Sequence, residues 1–461
     1  MKAIAPERDN DSQFRSTTMP LPAGRWQHAK PAAFPLAGRI KPWNDPFMRQ
    51  AFLDHQSATP VLPEVFEAMK PYFIELFGNP SSLHQQGLRA RDAIAQARTQ
   101  TAALINAESP EDIIFTSSGT EATNLALKGA AYANRRRGNH VVISEIEHPA
   151  VLNSIEFLEK EGFTCTRVKV DSEGLVNPSE VAAAITDKTT LICLHHVNHD
   201  IGVVEPIREM GKLAGERGIP LFVDAVASAG WLSIDVQEMG VSLLSLSPHR
   251  FYGPKGIGVL YRNKRARLVS LIHGGIQEGG RRAGTENVPA IVGAGVAAEL
   301  ALHELPARIA HTGTLQKRLW SELKMKVSHI RLNGPEPGPN RISTNLNIST
   351  EFIEGEGQML LLDTKGIAVA SGTSCISKSL RISHVLAAIG LDHALAQCAI
   401  MISLGKNNTE DEIDYFLDTF IRIVHKLRNM SPMWDEFQRG TIASAIARPA
   451  QDKLLRVSPA V

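Results

Sequence analysis

The chain has 461 residues, 43% of them hydrophobic and 21% charged, which is typical of a globular protein with one large domain and a smaller one. Its 49 basic and 48 acidic residues leave a formal charge of +1, which argues against nucleic acid or an anionic membrane as a partner. The four scattered cysteines exclude a disulfide framework and a CxxC metal site, and they favour a reducing, cytoplasmic setting. We also expect no membrane span and no targeting peptide, because no apolar run approaches roughly 18 residues and the N-terminal residues include early acidic groups and no apolar signal core.

Short apolar runs alternate with helical patterns through the middle of the chain, which predicts an α/β fold with a mostly parallel sheet. The predicted strands are DIIFTSS, HVVISEI, TTLICLHHV, PLFVDAV and LLSLS. Residues 1–47 are rich in Pro, Gly and charge, and are predicted to form a flexible extension; residues 433–461 are predicted to be a C-terminal tail. We divide the remainder into a large domain over 60–307 and a smaller domain formed by 48–59 and 308–432.

The segment SSGTE, Ser117–Glu121, follows a predicted strand and leads into an amphipathic helix pattern. Such a junction directs backbone N–H groups and the positive end of a helix at an anion, typically phosphate, and Thr120 can add a hydroxyl group. By itself the motif is more often a simple helix cap.

Polar residues end three of the apolar runs: His148 in EIEHPAV, Asn198 in VNHDIGVV and Asp224 in FVDAVASAG. Open α/β sheets bind ligands at the carboxyl ends of their strands. A lone His or Asp at such a position is usually structural. Three of them together with a phosphate-type loop favour a cofactor site.

Two later segments also carry candidate chemistry. The glycine-rich, doubly basic segment GGRRAGTENVPAIVG leads to Thr285, and ASGTSCISKS places Cys375 among small and hydroxyl residues. An exposed loop of this composition suits a reactive thiol, although an inert small residue is an equally good interpretation of the local pattern.

Taken together, these segments resemble the cysteine desulfurases, which are pyridoxal-phosphate enzymes of the class V aminotransferase group. The resemblance covers about residues 50–430 and rests on the order and spacing of LDHQSATPV, FGNPSSLH, FTSSGTEATNLALKG, EHPAVL, VNHDIGVV, VDAVASAG, PHRFYGPKGIGVLY, RRAGTENV and SGTSCIS followed by SHVLAAIGL. It implies the pyridoxal-phosphate transferase fold of type I, with a seven-stranded, mostly parallel sheet flanked by helices and a smaller α+β domain that carries the Cys375 loop.

The resemblance implies a phosphate-binding role for five residues. Gly119 and Thr120 would hold the cofactor phosphate together with Ser247 and His249 of the SPH turn. Thr285 would reach the same phosphate across a dimer interface.

The resemblance also implies roles around the cofactor ring. His148 would stack on the pyridine ring, Asp224 would pair with the ring nitrogen, and Asn198 would lie beside the ring oxygen. Cys375 would attack the sulfur of the substrate cysteine and carry it as a persulfide.

Several positions depart from the family pattern. Where the family has the lysine that forms a Schiff base, this chain has Arg250, whose guanidinium stays protonated and cannot form that bond. Lys255, in GPKG, belongs to the family pattern in its own right. Met401 stands at the position of the arginine that grips the substrate carboxylate, and Ala227 stands at that of a glutamine expected to contact the ring oxygen. The usual NNE sequence has also become Asn-His-Asp at 198–200.

Three hypotheses follow from these departures. The first is a degenerate desulfurase that binds pyridoxal phosphate noncovalently or not at all, and serves as a persulfide acceptor, a scaffold for sulfur-transfer or iron–sulfur partners, or one half of a heterodimer with an active relative. The second is a working desulfurase with a noncovalent cofactor, in which His249 or another base moves protons. The third is a pocket for pyridoxamine phosphate and a substrate without a carboxylate. Arg250 can also be an anion ligand without catalytic meaning.

Overall fold

The computed structural model describes residues 49–371 and 382–446. The strands in this part are β1 (Ala51–Phe52), β2 (Ile113–Thr116), β3 (His140–Ser144), β4 (Thr164–Val168), β5 (Thr189–His195), β6 (Leu221–Asp224), β7 (Leu243–Leu246), β8 (Gly258–Arg262), β9 (Ile330–Asn333), β10 (Asn345–Thr350), β11 (Ile367–Ala368), β12 (Ala370–Ser371) and β13 (Ala399–Ser403). The α-helices are α1 (Pro63–Met69), α2 (Pro71–Ile74), α3 (Gln85–Leu104), α4 (Gly119–Ala133), α5 (Pro149–Lys160), α6 (Pro178–Ala184), α7 (Ile207–Arg217), α8 (Val288–Lys326), α9 (Gly355–Asp363), α10 (His384–Ala388), α11 (His393–Gln397), α12 (Glu410–Arg428) and α13 (Pro432–Gln438).

A seven-stranded sheet in the order β2-β8-β7-β6-β5-β3-β4 forms the centre of the fold. Neighbouring strands run parallel from β7 to β4, whereas β8 is antiparallel to both β7 and β2. Parallel strands need crossover connections, and helices provide them here on both faces of the sheet. This arrangement confirms the predicted α/β fold class.

The central strands are apolar along their whole length because helices cover both of their faces. In β5, Ile192 and Leu194 pack into a core with α3 and α7, whereas Leu191 and Cys193 pack into a second core with α4 and α5. Successive side chains of a strand point to opposite faces, so the run TTLICLH feeds both cores at once. The polar residues at the ends of these strands are thereby held in fixed positions at one edge of the sheet.

A four-stranded antiparallel sheet, β12-β13-β10-β9, lies beside a short parallel pair of β1 with β11. Its core is formed with α12, whose Phe416 and Phe420 stack at a centroid distance of 5.2 Å and pack with Ile348 and Ile400. Residues 48–59 contribute β1 to this part of the chain. The helix α8 runs without interruption through the predicted boundary between 307 and 308, so the division into two domains remains a prediction.

The helices α8 and α13 bear on two expectations, the absence of a membrane span and the C-terminal tail. By length and hydropathy alone α8 is long and apolar enough to cross a membrane, but half of its most apolar window is buried inside the protein, as in the core helix of a globular protein. The stretch predicted as a C-terminal tail contains most of α13, and there Trp434 and Phe437 pack on Phe352. The predicted N-terminal extension lies outside the described residues.

Candidate functional site

The loop predicted to bind phosphate leads from β2 into α4. Ser118 caps the helix by accepting a hydrogen bond from the Glu121 amide at 3.1 Å. At Gly119, a Cβ atom would lie only 3.1 Å from Ser247 and from Val226, so Gly119 lies close against the Ser247 turn and a larger residue would require its neighbours to shift. The first turn of this 15-residue helix directs its backbone N–H groups and its positive dipole end at the same spot, which is suited to an anion.

The basic loop before Thr285 is tied to the phosphate-type loop by an ion pair that the sequence did not reveal. The guanidinium of Arg282 donates to the Glu121 carboxylate at 2.9 and 3.2 Å, and the Ser117 amide donates to the same carboxylate at 2.7 Å. Burial would raise the pKa of Glu121, but Arg282 and Ser117 together hold it below its ordinary value. Thr285 itself is exposed, so its contact across a dimer interface remains a prediction.

The turn that follows β7 holds Ser247 and His249. Ser247 is buried, and its hydroxyl lies 2.9 Å from Nδ1 of His249. The His249 carbonyl accepts hydrogen bonds from the amide and the hydroxyl of Thr59, which fixes the turn against the first residues of the fold. Burial, Arg250 and Lys255 lower the pKa of His249 to about 4, so this imidazole is neutral at physiological pH.

Asp224 and His148 lie close enough for their charges to interact. Asp224 ends β6, and its Oδ1 accepts hydrogen bonds from the Val226 amide at 3.0 Å and the Ser245 hydroxyl at 3.2 Å. His148 caps α5 through Nδ1, which accepts from the Ala150 amide at 3.0 Å and therefore leaves Nε2 to carry the proton. Burial lowers the pKa of His148, and Asp224 opposes that shift.

Asn198 is fully buried, and its side chain is committed to the backbone. Its amide group donates to the Ile146 carbonyl at 2.9 Å, while its oxygen accepts from the Asp200 and Ile201 amides at 2.9 and 3.0 Å. These bonds hold the loop after β5 against the segment that leads to His148. Asn198 therefore shapes the site, and its contact with the ring oxygen remains a prediction.

Arg250 lies in the same turn as His249, and hydrogen bonds hold its backbone. Its amide donates to the Ser247 carbonyl at 3.0 Å, and its carbonyl accepts from the Trp231 indole at 2.9 Å. The guanidinium makes no hydrogen bond or ion pair with any residue in the described ranges. Burial lowers the pKa of Arg250 to about 10, opposed by Asp224 and Asp54, so the group remains a cation at neutral pH.

Met401 lies in β13 between Ala370 and Asn347 on the neighbouring strands. The side chain of Asn347 donates to the Asp200 carboxylate at 2.7 Å. Burial raises the pKa of Asp200 to about 6, although hydrogen bonds from Ser383 and Asn347 oppose the shift. Asn347 and Asp200 therefore place an amide and a carboxyl group near Met401, and neither is a cation that could bind a substrate carboxylate.

Three imidazole rings pack in a row beside the predicted cofactor site, and the sequence did not reveal this cluster. The ring centroids of His148 and His199 are 5.0 Å apart, and those of His199 and His384 are 6.1 Å apart. Nε2 of His384 lies 2.9 Å from the carbonyl oxygen of Glu147. Burial lowers the pKa of all three rings. No group of His, Cys, Asp and Glu within the described ranges has the geometry of a metal site.

A buried histidine between two carboxylates was also missed. Nδ1 of His195 lies 2.9 Å from Glu147, and Nε2 lies 3.3 Å from Glu205, with all three side chains at most 3% exposed. The Nδ1 contact is a hydrogen bond, whereas the Nε2 contact with Glu205 is an ion-pair distance without hydrogen-bond geometry, so the nearby carboxylates favour the charged imidazole mainly through their negative charge. Burial would lower the pKa of His195, but Glu147 and Glu205 raise it to about 10. His195 is in register with Asp224, so this charge lies one strand away from the ring-nitrogen candidate.

Comparison with known proteins assigns the chain to a family. Residues 51–416, well over half of the chain, match the family described as Aminotransferase class-V. The chain belongs to this family. It is 44% identical over 391 residues to the cysteine desulfurase IscS of Clostridium botulinum (strain Hall), covering 85% of this chain and 98% of the relative, and 45% identical over 390 residues to that of Dictyoglomus turgidum, with the same coverage.

Solved structures agree with the family assignment. A NifS-like protein superposes with a TM-score of 0.77 at 34% identity, covering 82% of this chain and all of that chain. SspA in complex with cysteine superposes with a TM-score of 0.69 at 37% identity, covering 78% of this chain and 99% of that chain. These likenesses confirm the resemblance to cysteine desulfurases and the fold-type I architecture.

Members of this class V family use pyridoxal phosphate, and the described residues fit the binding of that group but not its covalent attachment. The close contact at Gly119, which a Cβ atom would crowd, suits a phosphate group. Both hydrogen bonds to Asp224 go to Oδ1, so its Oδ2 is available to the ring nitrogen. When bound, the cofactor supplies an aldehyde and an electron-withdrawing ring. Arg250 offers no amine to that aldehyde.

Cys375 lies outside the described residues, between Ser371 and Ile382. On the C-terminal side of that gap, Ser383 donates a hydrogen bond to the Asp200 carboxylate and caps α10. His384 follows it and contacts the Glu147 carbonyl. The return from the Cys375 segment is therefore anchored beside His148.

Proposed function

We propose that this chain is a cysteine-desulfurase-like sulfur-transfer protein that no longer turns over free cysteine by itself. It would act as a persulfide acceptor through Cys375, as a scaffold for iron–sulfur assembly, or as the partner of an active desulfurase. The observation that carries the proposal is Arg250, a half-buried, positively charged side chain directly after His249 and within electrostatic reach of Asp224. A sulfur-transfer role as such follows from the IscS relatives.

The residues around Arg250 favour a loss of the Schiff-base function over its transfer to another lysine nearby. Lys255 interacts with His249 closely enough to lower the pKa of that imidazole, but Lys255 is exposed, whereas Arg250 is half-buried. Met401 and Ala227 also lack the polar groups that the family pattern uses to hold substrate and ring. Three losses at positions that the family uses for the substrate and the cofactor are more than a single tolerated substitution explains.

An exposed apolar face supports a dimer, either of two copies or with an active relative. Large apolar side chains on α1, on α2 and in the loop that follows α2 are 54–84% exposed: Phe66, Phe73, Ile74, Phe77 and Leu83. Several large apolar side chains exposed along one short segment are typical of a protein–protein contact. The exposed Thr285 would complete the phosphate site of such a neighbour.

The decisive experiment is an absorbance spectrum of the purified protein after incubation with pyridoxal phosphate and gel filtration, before and after borohydride. We expect no borohydride-reducible band in the wild-type protein and a reducible band in Arg250→Lys, with Lys255→Arg as the matched control that changes neither result. Sulfide release from L-cysteine is measured on the same samples. A reducible band or turnover at normal enzyme rates in the homogeneous wild-type protein would overturn the proposal.

The neutral imidazoles favour one alternative, a slow desulfurase with a noncovalent cofactor. His249 and the rings of His148, His199 and His384 all have lowered pKa values and are therefore unprotonated at neutral pH, which is the form that a general base requires. This alternative predicts cysteine-dependent sulfide release without a reducible band, and loss of that release in Cys375→Ala.

A further inference from the structure

Among the described residues, the Arg250 guanidinium is a cation without a hydrogen-bond or ion-pair partner. Its five N–H donors contact no acceptor among the described residues, although hydrogen bonds at 3.0 and 2.9 Å hold its backbone. Asp224 and Asp54 are the charges that act most strongly on it, yet neither carboxylate forms an ion pair with it. A half-buried arginine in this state is available to a ligand anion.

A small cavity beside Arg250 is lined partly by residues next to the four-stranded sheet and by none of the phosphate-type loop. Its other lining residues come from the start of the fold, from the segment after β6, and from the ends of the loops beside β10 and β13: His55, Gln56, Ala227, Trp231, Thr344 and Leu404. No residue of Ser117–Glu121 lines it. Leu404 directly follows β13, the strand that carries Met401.

Other cations next to this lining already have partners. Lys406 and Arg308, which lie beside Leu404 and Trp231 respectively, both bind the carboxylate of Glu304 at 2.8 Å. Arg341, near Thr344, donates to backbone carbonyl groups. Arg250 is therefore the cation that the described part of this lining leaves to a ligand.

We propose that Arg250 binds the carboxylate of an amino-acid ligand and so takes over the contact that Met401 cannot make. The two parallel N–H groups of a guanidinium match a carboxylate in a bidentate fashion. The flanking carboxylates of Asp54 and Asp224 offer an opposite charge to the ligand's ammonium group. The inference rests on the proposed function, since it makes the altered pocket a binding site for cysteine rather than a centre for its turnover.

The test is calorimetric titration of the full-length protein, without added cofactor, with L-cysteine and with cysteamine, which is the same molecule lacking the carboxylate. We expect L-cysteine to bind and cysteamine to bind at least 10-fold more weakly. Arg250→Gln should weaken L-cysteine binding at least 10-fold, and Arg208→Gln, which alters an exposed arginine, should leave it unchanged. Met401→Arg introduced into Arg250→Gln should restore binding.

Three results would overturn this inference: no binding of L-cysteine, equal binding of L-cysteine and cysteamine, or unchanged L-cysteine binding in Arg250→Gln. Titration with inorganic phosphate tests whether Arg250 binds a phosphate group instead. In that case Arg250→Gln would lose phosphate binding and keep L-cysteine binding. The proposed function fails on a different measurement. Sulfide release at enzymatic rates in the presence of pyridoxal phosphate would overturn it, whatever the titrations show.

Discussion

Replacing His195 by glutamine removes a buried cation from between two carboxylates, and we expect a large, pH-dependent loss of stability. The folded pKa of about 10 lies above the ordinary 6.5, so the stabilisation is fully present below pH 6.5 and is lost as the pH rises toward 10. The difference of about 3.5 pH units, at about 1.36 kcal/mol each, gives an upper bound of about 5 kcal/mol. Breaking one partner of a buried pair costs about 3–5 kcal/mol, which agrees with that bound.

Urea unfolding of the full chain at intervals between pH 6 and 10 measures this effect. The wild-type free energy of unfolding should fall across that range, and His195→Gln should start lower and show a flatter profile. His425→Gln, at an exposed position on α12, is the matched control and should follow the wild type. Parallel pH profiles for His195→Gln and the wild type would refute the charged triad, as would additive effects of His195→Gln and Glu205→Gln in a double-mutant cycle.

Three further predictions concern the loops and the surface. Glu121→Gln removes the partner of Arg282 and the acceptor of the Ser117 amide, so the free energy of unfolding should fall by about 1–3 kcal/mol in urea titrations and the affinity for pyridoxal phosphate should fall with it. In Gly258→Ala the new Cβ atom would lie 2.1 Å from the Ser118 carbonyl carbon; a melting temperature equal to that of the wild type would contradict the expected loss of about 1–3 kcal/mol. Ile74→Glu should shift the protein from dimer to monomer in sedimentation experiments, without change in its circular dichroism, because it places a charge on the exposed apolar face.

The phosphate-type loop shows which features can be predicted from neighbouring residues in the chain and which cannot. The strand, the capping residues and the helix of SSGTE were predictable because each depends on neighbouring residues in the chain. The Arg282–Glu121 ion pair joins residues 161 positions apart and left no local signal, since charged residues in both segments are equally consistent with solvent exposure. The candidate ligands were thus found from sequence, but the contact that fixes their loop was not.

The two unanticipated histidine features have the same origin. The pair HH at 195 and 196 looks like a strand end, and nothing local shows that one ring enters a pair of carboxylates from other segments while the other contacts the Ser228 hydroxyl. Long-range packing decides whether such a ring is charged, because the pKa depends on burial and on the distance to opposite charges. The cluster of His148, His199 and His384 likewise arises only when three separate segments meet.

The amino-acid sequence by itself determined the α/β class, the polar residues at the strand ends, and the presence of Arg250, Ala227 and Met401 at positions where the family uses polar or reactive groups. These features depend on residue type and on local periodicity, which folding does not change. Only the tertiary structure decided that the Arg250 guanidinium has no hydrogen-bond or ion-pair partner among the described residues, that Asn198 is committed to the backbone, and that His195 lies between two carboxylates that raise its pKa. Those outcomes depend on which distant groups are brought within hydrogen-bond range and how much water is excluded around them, and both are properties of the packed sheet rather than of any one segment.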